Sequence, residues 1–177
     1  TSSTPRRVLI PLLILGAVAL IAASFTRPAD TAAYAVGDLV SNSTTAASCT
    51  YIAIPASRVA AGSGLIRRVM IRSSSQTLTN ASYRVHLYNA QPATVAVGDN
   101  AAITLIDANK YLGSVDVTIS QAFGSGTTGS VGYGIPSQDI AFKLASGVNV
   151  YALLEARAAR TPDASEQFVI GLDVIQD

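Results

Sequence analysis

The side chains of this sequence that are capable of catalysis are few, and they form no catalytic pattern. His86 is the only histidine and Cys49 the only cysteine. A serine–histidine–aspartate device needs a nucleophile beside the histidine, and the sequence singles out no serine for that position. One cysteine can form no internal disulfide, and a cysteine-rich metal site is excluded. We therefore expect a structural or interface role for His86 and a buried, apolar position for Cys49.

Two further patterns match site motifs only in outline. The stretch "GSGTTG" (residues 124–129) has the G-x-G-x-x-G spacing, but phosphate binding requires a helix after it. The stretch "SVGYGIPSQ" follows instead, which predicts a flexible loop. The aspartates are scattered singly, and only Glu155 and Glu166 are available to form a carboxylate pair with them. We expect no enzyme activity, no cofactor, no metal site and no small-molecule substrate.

The arginines suggest contacts between charged side chains rather than nucleic-acid binding. The stretch "LIRRVMIR" (residues 65–72) contains Arg67, Arg68 and Arg72, and Arg84 is expected on a neighbouring strand. Opposite an aspartate such as Asp107 or Asp116, such arginines form cross-strand ion pairs. At an assembly interface they would instead hold carboxylates of a partner in bidentate fashion. Both interpretations are open, whereas a formal net charge of +1 gives no electrostatic case for nucleic acid.

Most of the chain shows the alternation of β-strands. "SYRVHLYN" places Val85 on an apolar face and His86 on the opposite face, which we expect to meet solvent or an interface. A strand pattern is also predicted for "YLGSVDVTIS", "NVYALLEAR" and "EQFVIGLDVIQ". Segments rich in glycine and serine, such as "AAGSG" and "LASGVN", separate the predicted strands. Roughly seven to nine antiparallel strands and no long helix follow. The predicted fold class is all-β, an antiparallel β-sandwich of jelly-roll type over residues 36–177, with an apolar N-terminal arm over residues 1–35.

The N-terminal arm contains an uncharged run over residues 8–25, preceded by Arg6 and Arg7. As a helix it would be about 27 Å long, close to the roughly 30 Å hydrocarbon core of a bilayer. An export signal or a signal anchor is therefore one interpretation, and an arm buried against protein is the other. Only 13% of residues are charged, which is expected where much of a surface meets other protein. We expect a protein partner and no membrane, with these interface residues: Leu9, Ile10, Leu12, Leu13, Ile14, Leu15, Val18, Leu20, Ile21, Phe25, Arg67 and Arg68.

Four stretches carry a resemblance to a known group of proteins. They are "FTRPADTAAYAVGDLVSNS" (residues 25–43), "AAGSGLIRRVMI" (60–71), "HLYNAQPATVAVGDNAA" (86–102) and "YLG" (111–113). In this order they resemble small structural proteins encoded in the head modules of tailed phages and prophages. The similarity extends over about two-thirds of the chain.

The resemblance implies a virion component, most plausibly a capsid decoration (cement) protein on the exterior of the head. Such proteins form dimers or trimers at capsid symmetry axes and hold neighbouring major capsid subunits together. The expected partners are therefore the major capsid protein and further copies of the chain. Two alternatives remain open: another virion part, such as a head-fibre base or a tail-associated β-domain, and an envelope β-sandwich anchored in a bacterial membrane by residues 8–25.

Overall fold

The computed structural model describes residues 17–124 and 129–176, and over these residues the protein is all-β. This confirms the predicted antiparallel, sandwich-like fold class. Within those residues the helical pieces are two single turns of 3-10 helix, Ala46–Ser48 and Ala108–Lys110. The strands are β1 (Ala17–Thr26), β2 (Leu39–Val40), β3 (Ile52–Ile54), β4 (Ser63–Ser73), β5 (Ser82–Tyr88), β6 (Tyr111–Ala122), β7 (Ser130–Gly134), β8 (Ile140–Lys143), β9 (Val150–Ala156) and β10 (Gln167–Gln176).

The strands pair antiparallel and form one continuous, curled sheet. Its order is β1-β10-β4-β7-β6-β5-β9-β2, with β3 also on β9 and β8 also on β4. β4 is shared, because β8 pairs with its first half and β7 with its second. Cα atoms of β1 and β3 approach within 8 Å. The curl therefore brings the two ends of the sheet together around one core.

The inside of the curl is filled by alternate residues of the strands. On β10, Phe168, Ile170 and Leu172 are buried, as the two-residue period of a strand requires. The Phe168 ring stacks on Phe25 of β1 and meets Tyr83 of β5 edge to face, each at a centroid distance of 5.6 Å. β1 therefore supplies part of the core.

β1 lies within the segment predicted as the N-terminal arm. Its ten residues carry no charge and pair in register with β10, from Ala17 opposite Gln176 to Thr26 opposite Gln167. The second half of the apolar run is thus a strand of the main sheet, while the division between residues 35 and 36 stays a prediction. Over the described ranges, no helix is long and apolar enough to cross a membrane.

A second, smaller apolar cluster covers the outside of β5 and β9. Tyr88 and Leu153 point outward from these strands and are buried by the segments that contain Cys49, Tyr51 and Val95. The predicted buried position of Cys49 is confirmed. This layer also explains why the face of β5 that was expected to meet solvent or an interface is largely covered within the chain.

Candidate functional site

The predicted interface residues of the N-terminal arm fall into three groups in the structure. Leu9, Ile10, Leu12, Leu13, Ile14 and Leu15 lie outside the described residues. Val18 and Leu20 lie on β1 with 67% and 56% of their surface exposed. Ile21 and Phe25, on the opposite side of the same strand, pack against the core. Alternation along β1 therefore separates side chains that hold the fold together from side chains that are free to meet a partner.

The exposed side of β1 continues across its neighbours as one surface, which we call the outer face. The strand register aligns Ala22, Gly171, Met70 and Tyr133 in one outward row across β1, β10, β4 and β7. The full set is Val18, Leu20, Ala22 and Ser24 of β1, Val169, Gly171, Asp173 and Ile175 of β10, Leu65, Arg68, Met70 and Arg72 of β4, and Val131 and Tyr133 of β7.

The outer face contains a groove of about 620 Å³, open to solvent, whose apolar lining includes Leu20, Met70, Phe123, Tyr133 and Val169. Phe123 and Tyr133 are 46% and 50% exposed. An exposed apolar surface of this kind on a protein typically marks a contact site for protein or ligand.

Gly171 shapes the floor of this groove. A Cβ atom at position 171 would lie 2.8 Å from the Met70 Cε and 3.2 Å from the Leu20 Cδ1. Because glycine has no Cβ, the side chains of Leu20 and Met70 can lie over the β10 backbone. Met70 is consequently only 4% exposed although it points away from the core.

Arg67 and Arg68 are engaged within the chain. The ladder between β4 and β10 shifts register between Asp173 and Val174, and this bulge leaves both arginines exposed. The Arg68 Nε lies 2.6 Å from the Asp173 carboxylate, and its guanidinium stacks over the Tyr133 ring at 4.7 Å. The Arg67 Nε lies 3.5 Å from the Asp139 carboxylate. Both arginines therefore pair within the chain, with Asp173 and Asp139 rather than with the expected Asp107 or Asp116, and an interface role for either arginine stays a prediction.

Arg84 and Asp116 form the cross-strand pair that the sequence suggested. The guanidinium donates two hydrogen bonds to the carboxylate, at 2.7 and 2.8 Å. Both side chains are partly exposed, and their hydrogen bonds lower the pKa of Asp116.

The phage-like stretch after β1 is organised by a buried arginine. The side chain of Arg27 is fully buried and donates to the Tyr34 hydroxyl at 2.8 Å, the Asp30 carbonyl at 2.6 Å and the Asp163 carbonyl at 3.1 Å. It also pairs with the buried carboxylate of Asp99 at 3.1 Å. The guanidinium thus joins the end of β1 to loops from three other parts of the chain.

Asp99 completes this arrangement, which we call the Arg27 hub. Its carboxylate accepts hydrogen bonds from the Tyr34 hydroxyl and the Ser41 N–H, both at 2.7 Å. Burial is the largest cause of a raised pKa at Tyr34, so its hydroxyl stays protonated as a donor. Arg27, Asp30 and Tyr34 belong to "TRPADTAAY", so this part of the motif holds structure rather than performing chemistry.

His86 is buried and hydrogen bonded on both ring nitrogens. Nδ1 lies 3.0 Å from the Tyr111 hydroxyl and Nε2 lies 2.8 Å from the Glu155 carboxylate, which also accepts from Arg157 at 2.8 Å. Burial lowers the pKa of His86. Neither ring nitrogen is left to activate a nucleophile, which favours the structural role for His86.

The remaining candidates for a chemical site are separated. Glu155 belongs to the His86 network, whereas Glu166 pairs with Arg160 and accepts a hydrogen bond from Ser73. In the described part of the chain no cluster of three potential metal ligands occurs. Gly124 and Gly129 flank residues outside the described ranges, and a strand, β7, follows them rather than a helix.

Comparisons with known proteins give weak structural likeness and no match in sequence. No protein-family model and no curated protein matches the chain. Among solved structures, the chain is similar to one in the "Cyanophage Pam1 capsid asymmetric unit", with 12% sequence identity and a TM-score of 0.30. The match covers 98% of this chain and 96% of the other. At that TM-score the likeness carries no argument about function.

Sequence reasoning missed both the Arg27 hub and most of the outer face. Arg27 and Asp99 lie in different stretches, and nothing in either one indicates the other. A signal for the outer face was present in "EQFVIGLDVIQ", because Val169 and Ile175 are apolar on the side opposite Ile170 and Leu172. A strand that is apolar on both sides is expected to be covered on both.

Proposed function

We propose that this chain is a virion structural protein that binds the exterior of a phage head and stabilises contacts between major capsid subunits. The observation that carries the proposal is the link between the phage-like stretch and the outer face. Residues 25–43 resemble phage head proteins and contain Arg27. The Arg27 hub fixes the end of β1 to the rest of the protein, and β1 carries the exposed Val18 and Leu20.

The outer face supports this role through its chemistry. Burying an aliphatic side chain such as Val18 or Leu20 contributes roughly 1.5–3 kcal/mol. Much of that gain is commonly offset by the cost of ordering the groups that bind. β1 is already ordered in register with β10, so this cost is small. A preformed apolar face is suited to a permanent contact with a capsid subunit.

Addition of purified protein to heads that lack it tests the proposal. Heads would be prepared from the source phage with the gene deleted, and occupancy measured by quantitative gel electrophoresis and cryo-electron microscopy. We expect saturable binding to the exterior and a higher temperature of head disruption. Absence of the chain from purified wild-type particles, judged by peptide mass spectrometry, would exclude the proposal.

The outer face is tested in the same assay by charge substitutions. Val18→Asp is expected to weaken head binding at least about tenfold, because aspartate cannot be buried there without loss of the apolar contact. Val36→Asp is the matched control, since Val36 is 61% exposed and lies outside the outer face. Equal binding by both variants would show that another surface docks on the head.

The membrane alternative is decided by fractionation of cells that express the full chain. Retention in carbonate-washed membranes, together with absence from particles, would favour an envelope protein anchored by residues 8–25. Recovery in particles and loss from washed membranes is the result that we expect.

A further inference from the structure

We infer that residues 8–15 of one copy dock on the outer face of a second copy, over the groove lined by Leu20, Met70, Phe123 and Val169. Val18 does not line this groove, so its end of the outer face stays available to the capsid. This inference deepens the proposed function and rests on it, because the head would hold neighbouring copies close together. It names a receiving surface for the predicted arm.

The chemistry of the two surfaces matches. The segment "VLIPLLIL" (residues 8–15) is aliphatic apart from Pro11 and carries no charge. The groove offers the Leu20, Met70 and Val169 side chains and the Phe123 ring. The thioether of Met70 adapts its shape to an apolar occupant more readily than a branched side chain does. Apolar groups on both sides leave water on contact, and this drives association.

The point at which the segment joins the body favours a second copy as the receiver. Residue 16 precedes Ala17, which pairs with Gln176 at one end of the outer face. The lining residues Val169 and Gln167 lie toward the other end, opposite Ser24 and Thr26. To reach them in its own copy, the chain must reverse next to β1 and run back along it. A neighbouring copy that adjoins this end of β1 can receive the segment without that reversal, because residues 8–16, if extended, reach up to about 30 Å from Ala17.

Photo-crosslinking of the full chain tests the inference without assuming a register. One population carries p-benzoylphenylalanine at position 13, and a second population is uniformly labelled with ¹⁵N and carries no photo-reactive group. The two are mixed, irradiated and digested, and adducts are identified by mass spectrometry. We expect adducts of residue 13 with labelled peptides from β4 and β10, since a labelled peptide must come from another copy.

Two matched variants define what the result means. Placing the photo-reactive group at position 36 is expected to reduce those adducts at least about tenfold, because Val36 is also exposed but does not belong to the docking segment. Val169→Glu in the labelled population is expected to reduce adducts from position 13 by a similar factor. Val169 is only partly buried and points away from the core, so this variant is expected to keep its fold, which circular dichroism verifies.

Other outcomes overturn the inference. Adducts only with unlabelled peptides would show that the segment packs on its own copy. Absence of adducts on the outer face, or flotation of the segment with phosphatidylethanolamine–phosphatidylglycerol vesicles, would show another occupant or environment. If the adducts are absent but the protein binds heads, only the assignment of the receiving surface is overturned. If the adducts form but the protein does not bind heads, only the proposed function is overturned.

Discussion

At the scale of single residues, buried charge in this protein is concentrated in a few satisfied networks. The Arg27 hub and the His86 network each use side chains from different strands and loops, and their donors and acceptors are matched. Removing one partner from such a network leaves a buried group without its hydrogen bonds. This costs far more stability than the loss of an exposed ion pair does. Removal of a side chain from either network is therefore expected to cost much more stability than removal of one from the partly exposed Arg84–Asp116 pair.

Replacement of Arg27 by methionine is expected to destabilise the fold. Asp99 would remain buried without its cation, and the free energy of unfolding should fall by about 3–5 kcal/mol. Arg84→Met is the control, because the partly exposed pair with Asp116 is worth about 0–1 kcal/mol. Both values are measured by chemical denaturation. A double variant, Arg27→Met with Asp99→Asn, should recover part of the loss, and equal losses from Arg27→Met and Arg84→Met would contradict the buried-charge explanation.

Acid is expected to weaken the fold through His86. Burial lowers the pKa of His86 and outweighs the hydrogen bond to the Glu155 carboxylate, which acts in the opposite direction. The unfolded chain therefore binds a proton near pH 6.5, before the folded chain does. The free energy of unfolding should fall as the pH falls through that value.

Glu155 extends the same trend to lower pH. Burial opposes its charged form, but hydrogen bonds from Arg157 and His86 outweigh burial and lower its pKa. Its stabilising contribution is present above its ordinary pKa and is lost as the pH falls below it. Denaturation of the wild type and His86→Gln between about pH 7.5 and 5.5 measures the histidine part. Identical slopes in the two proteins would refute the assignment to His86.

At the scale of strands, the two sides of one strand have different roles. On β1, Phe25 stacks on Phe168 while Leu20 stays exposed. On β7, the inner positions are small: a Cβ at Gly132 would lie 2.2 Å from the Thr118 carbonyl oxygen of β6. The absence of side chains there lets β7 lie close against β6 as the sheet curls.

Phe25→Ala should therefore cost more stability than Leu20→Ala. Phe25 is partly buried against the core, and its truncation should lower the free energy of unfolding by about 2–4 kcal/mol, near the lower end of core values. Leu20→Ala, in the same strand but facing outward, should cost less than about 1 kcal/mol. Thermal and chemical denaturation measure both, and equal costs would mean that β1 does not contribute to the core.

Gly132→Ala is expected to strain the sheet between β6 and β7. The new Cβ would overlap backbone, which cannot move aside as a flexible side chain can, so a loss of about 2 kcal/mol or more is expected. Gly124→Ala is the matched control, because a Cβ there meets nothing within 4 Å. A neutral Gly132→Ala, judged by the midpoint of chemical denaturation, would show that the two strands readily separate.

At the scale of the whole molecule, alternation in the sequence was enough to predict the fold class but not the first strand. "SYRVHLYN" and "YLGSVDVTIS" have one apolar and one polar side, so their period is visible and both became strands. The run over residues 8–25 is apolar on both sides, so it shows no period and fitted a helix or an arm equally well. The Arg27 hub could not be predicted, because its partners meet only after the sheet has formed. The exposed residues of the outer face could not be predicted for the same reason as β1, because the segments that carry them on β1 and β10 are apolar on both sides.

The pairing of β1 with β10 has a consequence for how the protein is made. β1 is the first strand of the described residues, and its ladder is completed only by Gln167–Gln176 of β10, the last of those strands. During synthesis the apolar β1 must therefore wait, without its partner strand, until β10 has left the ribosome. Long-range pairing of this kind slows folding and leaves apolar segments exposed to aggregation in the meantime. Newly made chains are thus vulnerable until β10 emerges, and binding of a chaperone to β1 would protect them up to that stage.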